Sequence, residues 1–165
     1  MPDTPPPTNQ TSVLFICLGN ICRSPLAEGI FTHLVTQRDL THNFRIDSCG
    51  TGHWHVGNPP DPRSVLVAAK NNIDITHLRA RQYHPKQDPE SFDLLIPMDN
   101  ANARDIIDLG APEHKVKLIR AFDPTLEANT TPDVPDPYYG GDSGFDHVHD
   151  MLLRACTGLL DHLGH

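Results

Sequence analysis

Val13-Leu14-Phe15-Ile16-Cys17-Leu18-Gly19-Asn20-Ile21-Cys22-Arg23-Ser24-Pro25 decides the reading of this chain. A short apolar run comes first, and an amphipathic helical pattern begins at Pro25. Between them a cysteine and an arginine enclose five residues, with Ser-Pro following. A loop that leaves a strand and enters a helix N-terminus has backbone N–H groups to spare, and these can curl around one tetrahedral anion. The sulfur of Cys17 would then lie beneath that anion. Gly19 lets the backbone approach closely, and Asn20 accepts left-handed geometry that helps turn successive N–H groups inward. Arg23 has the planar fork that grips two oxygens of a phosphate. Pro25 suits the first helical position, where its missing N–H would have had no partner. The first carboxylate of the helix, Glu28, comes late enough to spare a bound anion repulsion.

Working outward, strands and helices alternate. Residues 12–18 read as a strand buried on both faces. Leu26, Ile30, Phe31, Leu34 and Val35 recur at helical spacing through 25–37. A short strand is expected at Phe44–Ser48, a Gly- and Pro-rich loop from Gly50 to Pro62, and a helix over 63–73. Phe92–Pro97 reads as a third strand and Asp99–Leu109 as a helix stopped by Gly110. Lys115–Ile119 reads as a fourth strand, followed by a long loop from Phe122 to Gly144. The last helix is expected from Phe145 to Leu163, with Phe145, Val148, Met151, Leu152, Ala155, Cys156, Leu159, Leu160 and Leu163 on one stripe. Ser143 stands where its cap would be. This order implies a single α/β domain, a parallel sheet covered on both faces, with ligands beyond the carboxyl ends of its strands. The Cys17 loop leaves just such an end. Residues 1–11 are Pro-rich and polar and read as a disordered tail, leaving 12–165 as the domain.

Composition excludes several functions. The 165 residues carry a net charge of −8, which argues against sequence-independent nucleic-acid binding. No apolar run reaches the length of a membrane span, and the N-terminus lacks the basic and apolar regions of a secretory signal, so a cytoplasmic protein is expected. The four cysteines show no C-x-x-C pair, so neither a zinc site nor a disulfide framework is expected. Cys49 and Cys156 read as core residues. The eleven histidines are scattered, and His53/His55 and His147/His149 do not make a metal site; no metal or organic cofactor is expected.

The nucleophilic form of cysteine is the thiolate, which a neighbouring cation or a helix N-terminus favours. Arg23 and the helix after the loop supply both, and Ser24 can hydrogen-bond the sulfur or cap the helix. Covalent removal of phosphate also needs an acid for the leaving group. The chain has four Asp-Pro pairs, at Asp61, Asp88, Asp123 and Asp136. Most read as turn formers. Asp136 is set apart by Tyr138-Tyr139-Gly140-Gly141 in a long loop, where the tyrosines can wall a slot for a flat aromatic group.

With the Cys17–Pro25 loop and Asp136-Pro137-Tyr138-Tyr139 together, the sequence from Ser12 onward resembles the low-molecular-weight protein tyrosine phosphatases. The resemblance implies a four-stranded parallel sheet with helices on both faces. It implies hydrolysis of phosphotyrosine in proteins and of small aryl phosphates, with Cys17 as nucleophile, Arg23 as phosphate clamp and Asp136 as general acid and then base. Leu18, Gly19, Asn20, Ile21, Cys22 and Ser24 would surround the phosphate. Trp54, Tyr138 and Tyr139 would line the slot above it. Asn20, Ser24, Ser48 and His77 would form the network that shapes the loop. Phosphotyrosine proteins are the expected partners, and phosphate or other oxyanions the expected inhibitors. Cys22, in the same loop as Cys17, invites a reversible Cys17–Cys22 disulfide that would shut off activity. Arsenate reductases resemble this fold and loop, but their chemistry needs further cysteines after the third helix, and residues 77–100 hold none. Protein-arginine phosphatases are also similar; they carry Thr where this chain has Ile21 and lack the tyrosine pair. A non-catalytic phosphotyrosine-docking module would need neither Cys17 nor Asp136.

Overall fold

The computed structural model describes residues 10–130 and 132–165. Strand β1 (Thr11–Cys17) is central, flanked by β2 (Phe44–Gly50) and β3 (Leu94–Pro97) in the order β2-β1-β3, both pairings parallel. Residues 12–17 are all buried. The reason is the alternation of side chains along a strand. Val13, Phe15 and Cys17 face one core with Leu26, Ile30 and Phe31 of α1 (Arg23–Gln37) and the apolar stripe of α5 (Asp142–His162). Leu14 and Ile16 face the other core, with Tyr83, Phe92 and Ile106 of α4 (Asn100–Asp108). Two shorter helices, α2 (Pro62–Lys70) and α3 (Gln87–Ser91), complete the layers. The sequence pattern did not mark α3, a single turn and a half.

The sheet has three strands, not four. Along Lys115–Ile119 only Val116 bridges to Leu95, with the Lys117 N–H donating to Leu95 O at 3.0 Å. The 3-10 turns Glu113–Lys115 and Ile119–Phe122 close in on both sides. Too little extended chain remains to form a ladder, and β3 itself is four residues long.

Three helix starts differ from their expected places. α1 begins at Arg23, so Pro25 is its third residue, still within the turn whose N–H groups lack partners. α2 begins at Pro62, with Asp61 as cap: its carboxylate accepts the Arg63 N–H at 2.9 Å. α5 begins at Asp142 with Gly141 in the cap position and no side-chain cap, so Ser143 lies inside the helix. Of the tail expected to be disordered, residues 1–11, positions 1–9 lie outside the described residues, while Thr11 belongs to β1.

Candidate active site

The loop between β1 and α1 forms the floor of a cleft of about 350 Å³. Cys17, Leu18, Gly19, Ile21, Cys22 and Arg23 line it from below, and Trp54, His55, Asp136, Tyr138 and Tyr139 from the sides. All but His55 were expected there. The N–H groups of Leu18, Gly19, Ile21 and Cys22 find no partner among the described residues. They stand at the positive end of α1, which has no acidic residue in its first turn. That is an anion site by construction.

Asn20 sits at φ +57°, the left-handed geometry the loop requires. Its side chain then holds the loop from within. Asn20 Nδ2 donates to Ser24 Oγ at 2.8 Å and to Ser48 Oγ at 3.0 Å, and Oδ1 accepts the Arg81 N–H at 3.0 Å. The Asn20 N–H points at Cys17 Sγ, 3.3 Å away. Ser24 Oγ lies 2.9 Å from that sulfur and 3.3 Å from Cys49 O. Its one proton can serve either neighbour: the carbonyl when Cys17 is a thiol and donates, the sulfur when Cys17 is a thiolate. Ser48 Oγ donates in turn to Glu28 Oε1 at 2.7 Å. Burial pushes the Glu28 carboxyl up to about 7 against the pull of that hydrogen bond.

His77 does not join this network. It is exposed, and among the described residues no hydrogen bond ties it to Asn20, Ser24 or Ser48. Arg81 closes the ring instead, through its backbone. Its guanidinium is fixed by Asp47 at 3.0 Å and by both oxygens of buried Asp88 at 3.0 and 3.2 Å. Asp88-Pro89 is therefore a structural anchor and not only a turn. Gly50 is a second unforeseen support. A Cβ there would lie 2.6 Å from Leu18 O and 3.0 Å from the Asn20 nitrogen, so only glycine lets β2 end against the loop.

Arg23 is buried. Its Nη1 donates to Asp99 Oδ2 at 2.5 Å and to Val134 O at 3.0 Å, while Nη2 lies 3.7 Å from Asp136 Oδ2. Asp99, the cap of α4, was read from sequence only as a helix boundary; a buried arginine's need for a counter-charge was the signal for it. Asp136 is exposed toward the cleft, and its Oδ1 accepts the Tyr138 N–H at 3.0 Å. Tyr138 and Tyr139 meet edge to face with centroids 4.9 Å apart. Across from them Trp54, 63% exposed, stacks on His53 and folds over Gly52, where a Cβ would collide with its ring at 1.9 Å. His55 closes over Gly19, its Cδ2 3.0 Å from where a Cβ would be. All four cysteines are free and buried. Burial first, and then the Asp61 carboxylate, push the Cys22 thiol up to about 12. Among the described residues no group of three or more His, Cys, Asp or Glu is placed to hold a metal ion.

The arrangement can bind a tetrahedral dianion on four N–H groups and one guanidinium, with a sulfur below and a carboxyl above. The chain that carries it is similar to known proteins. Residues 12–165 match the family described as low molecular weight phosphotyrosine protein phosphatase. The human protein of that name is 39% identical over 154 residues, covering 91% of this chain and 94% of its own. The one from Schizosaccharomyces pombe is 43% identical over 154 residues, covering 93% and 97%. Among solved structures, a protein tyrosine phosphatase from Entamoeba histolytica with Hepes in its active site superposes with a TM-score of 0.87 at 35% identity, covering 94% and 97%. The Drosophila arginine phosphatase superposes at 0.83 with 31% identity, covering 93% and 98%. From β1 to the end of α5, this chain belongs to the low molecular weight phosphotyrosine protein phosphatase family of hydrolases.

Proposed function

We propose that the protein hydrolyses phosphotyrosine in proteins, and small aryl phosphates, through a phosphocysteine intermediate. The observation that carries the reading is the stack of Cys17, a loop of unpaired N–H groups, Arg23 and Asp136 in one cleft walled by Trp54 and two tyrosines. In the first step the Cys17 thiolate attacks phosphorus in line, an S–P bond forms, the P–O bond to the phenol breaks, and Asp136 gives its proton to the departing oxygen. In the second, Asp136 takes a proton from water, whose oxygen attacks phosphorus; the S–P bond breaks, releasing phosphate and the thiolate. Leu18, Gly19, Ile21 and Cys22 N–H groups and Arg23 stabilise the equatorial oxygens throughout. Ser24 and the Asn20 N–H stabilise the sulfur as it leaves. Asn20 and Ser48 hold the loop in shape. None of these steps uses a metal or cofactor.

Substrate choice follows from the walls. A slot between Trp54 and the Tyr138–Tyr139 pair suits a flat ring, which supports phosphotyrosine over phosphoarginine. Cys17 and Cys22 also supply a redox brake. Peroxide oxidises the Cys17 thiolate to a sulfenic acid, Cys22 attacks that sulfur with loss of water, and the disulfide leaves no nucleophile until a thiol reduces it. Four free thiols fit a reducing, cytoplasmic setting. Cys17→Ser tests the central reading. It should abolish turnover of p-nitrophenyl phosphate while inorganic phosphate still binds; a fully active variant would end the proposal.

A further inference from the structure

A second groove of about 340 Å³ opens beside the cleft and shares Leu18 and Trp54 with it. These two residues form a ridge between the two spaces. On the far side the groove is lined by Leu109, Asp105 and Asp108. Leu18, Trp54 and Leu109 are 41%, 63% and 51% exposed, three apolar side chains around one depression. Asp105 and Asp108 are three apart on α4, so their carboxylates rise from neighbouring positions on one helix face. Both are exposed, and neither carboxylate has a hydrogen-bond or ion-pair partner among the described residues. Arg104, beside them on α4, is exposed but does not line the groove.

The occupant follows from continuity and charge. The groove opens at the Trp54–Leu18 ridge, within reach of residues that flank a phosphotyrosine ring held against Trp54. A side chain entering the groove there meets apolar surface first and two unpaired carboxylates beyond it. Lysine and arginine have that order: an aliphatic stem and a cationic head. We propose that this groove is a specificity subsite for a Lys or Arg flanking the phosphotyrosine of peptide substrates, with Asp105 and Asp108 receiving the cation. The proposal rests on the phosphotyrosine reading of the cleft.

The test compares phosphotyrosine peptides that differ only by Lys or Glu at each position within three residues of the phosphotyrosine. At one or more positions wild type should favour Lys by about fivefold or more in kcat/KM, the range open to two exposed carboxylates. The double variant Asp105→Asn, Asp108→Asn should bring that ratio below about twofold with p-nitrophenyl phosphate turnover unchanged. Glu113→Gln with Glu127→Gln removes the same charge from positions that line neither space and should keep the ratio, separating local recognition from net charge. A wild type indifferent to Lys at every position would overturn the proposal. So would a preference that survives in the Asp105/Asp108 variant. A wild type that turns over neither p-nitrophenyl phosphate nor any peptide would instead overturn the reading of the cleft itself.

Discussion

Arg23 Nη1 and Asp99 Oδ2 lie 2.5 Å apart, joining the first turn of α1 to the cap of α4 across the carboxyl end of the sheet. The arginine side chain is 3% exposed and its partner 20%. Asp99 thus neutralises and orients from behind the guanidinium that the proposed phosphate would meet from the front. Asp99→Asn keeps the helix cap, because asparagine caps as well as aspartate, but removes the counter-charge. Breaking a buried pair costs about 3–5 kcal/mol when the remaining charge is left alone, and Asp136 nearby offsets part of this. We expect a loss of roughly 2 kcal/mol in unfolding free energy. Phosphate, which supplies the missing negative charge, should raise the thermal midpoint more in the variant than in wild type. Equal stabilisation of both proteins would contradict this account of Arg23.

Asp136→Ala should separate substrates by leaving group. General acids contribute about 10²–10⁴ where the leaving oxygen needs a proton. Phenyl phosphate turnover should therefore fall by about a hundredfold or more, and p-nitrophenyl phosphate, whose phenolate leaves unaided, far less. A uniform loss across phenols of differing acidity would remove Asp136 as the acid.

The proposed redox brake would carry a built-in rate limit. Only a thiolate attacks efficiently, and the burial and Asp61 that hold Cys22 up to about 12 keep it protonated near neutrality. Mild peroxide should give a Cys17–Cys22 linked peptide by mass spectrometry, in a yield that rises with pH and rises again in Asp61→Asn. Sulfonic acid on Cys17 without any linked peptide would count against the brake.

Glu28 sets a pH dependence of stability. Its carboxyl is raised in the fold from 4.5 to about 7 by burial. The folded state therefore holds the proton more tightly than the unfolded one. The stabilisation is complete below about pH 4.5 and is lost as pH rises through 7. Glu28→Gln keeps the acceptor for Ser48 Oγ without the charge. Its stability relative to wild type should increase between pH 5 and pH 8, by on the order of 2 kcal/mol, as measured by denaturant unfolding at each pH. Parallel profiles would mean that Glu28 ionises freely in the fold.

Much of this was legible in the chain because local chemistry and topology agreed. The apolar run of β1, Gly19, Asn20 and the cation at Arg23 each carried a local signature, and their order placed the loop at the end of a strand. Tyr138 and Tyr139 could be offered as walls from their setting beside Asp136, but Trp54 only through the resemblance, since an aromatic residue by itself does not say which space it faces. Asp99, Arg81 and Gly50 were not legible as supports. Their roles depend on a guanidinium, a backbone N–H and a missing Cβ meeting the loop from 30 to 76 residues away, and no periodicity records such meetings. The fourth strand failed for a related reason. Val116-Lys117-Leu118 has strand-like composition, but 3-10 turns on either side leave it a single bridge. His77 was placed by resemblance at a position that Arg81 serves through its main chain.

The central claim is that phosphate passes through the sulfur of Cys17. Rapid acid quench of the enzyme during turnover of a radiolabelled aryl phosphate, followed by peptide mapping, reads this directly. The account predicts one labelled peptide, containing Cys17, with the phosphorus on its thiol and label lost in Cys17→Ser. Steady turnover with no labelled peptide, or with label on any other residue, would contradict it.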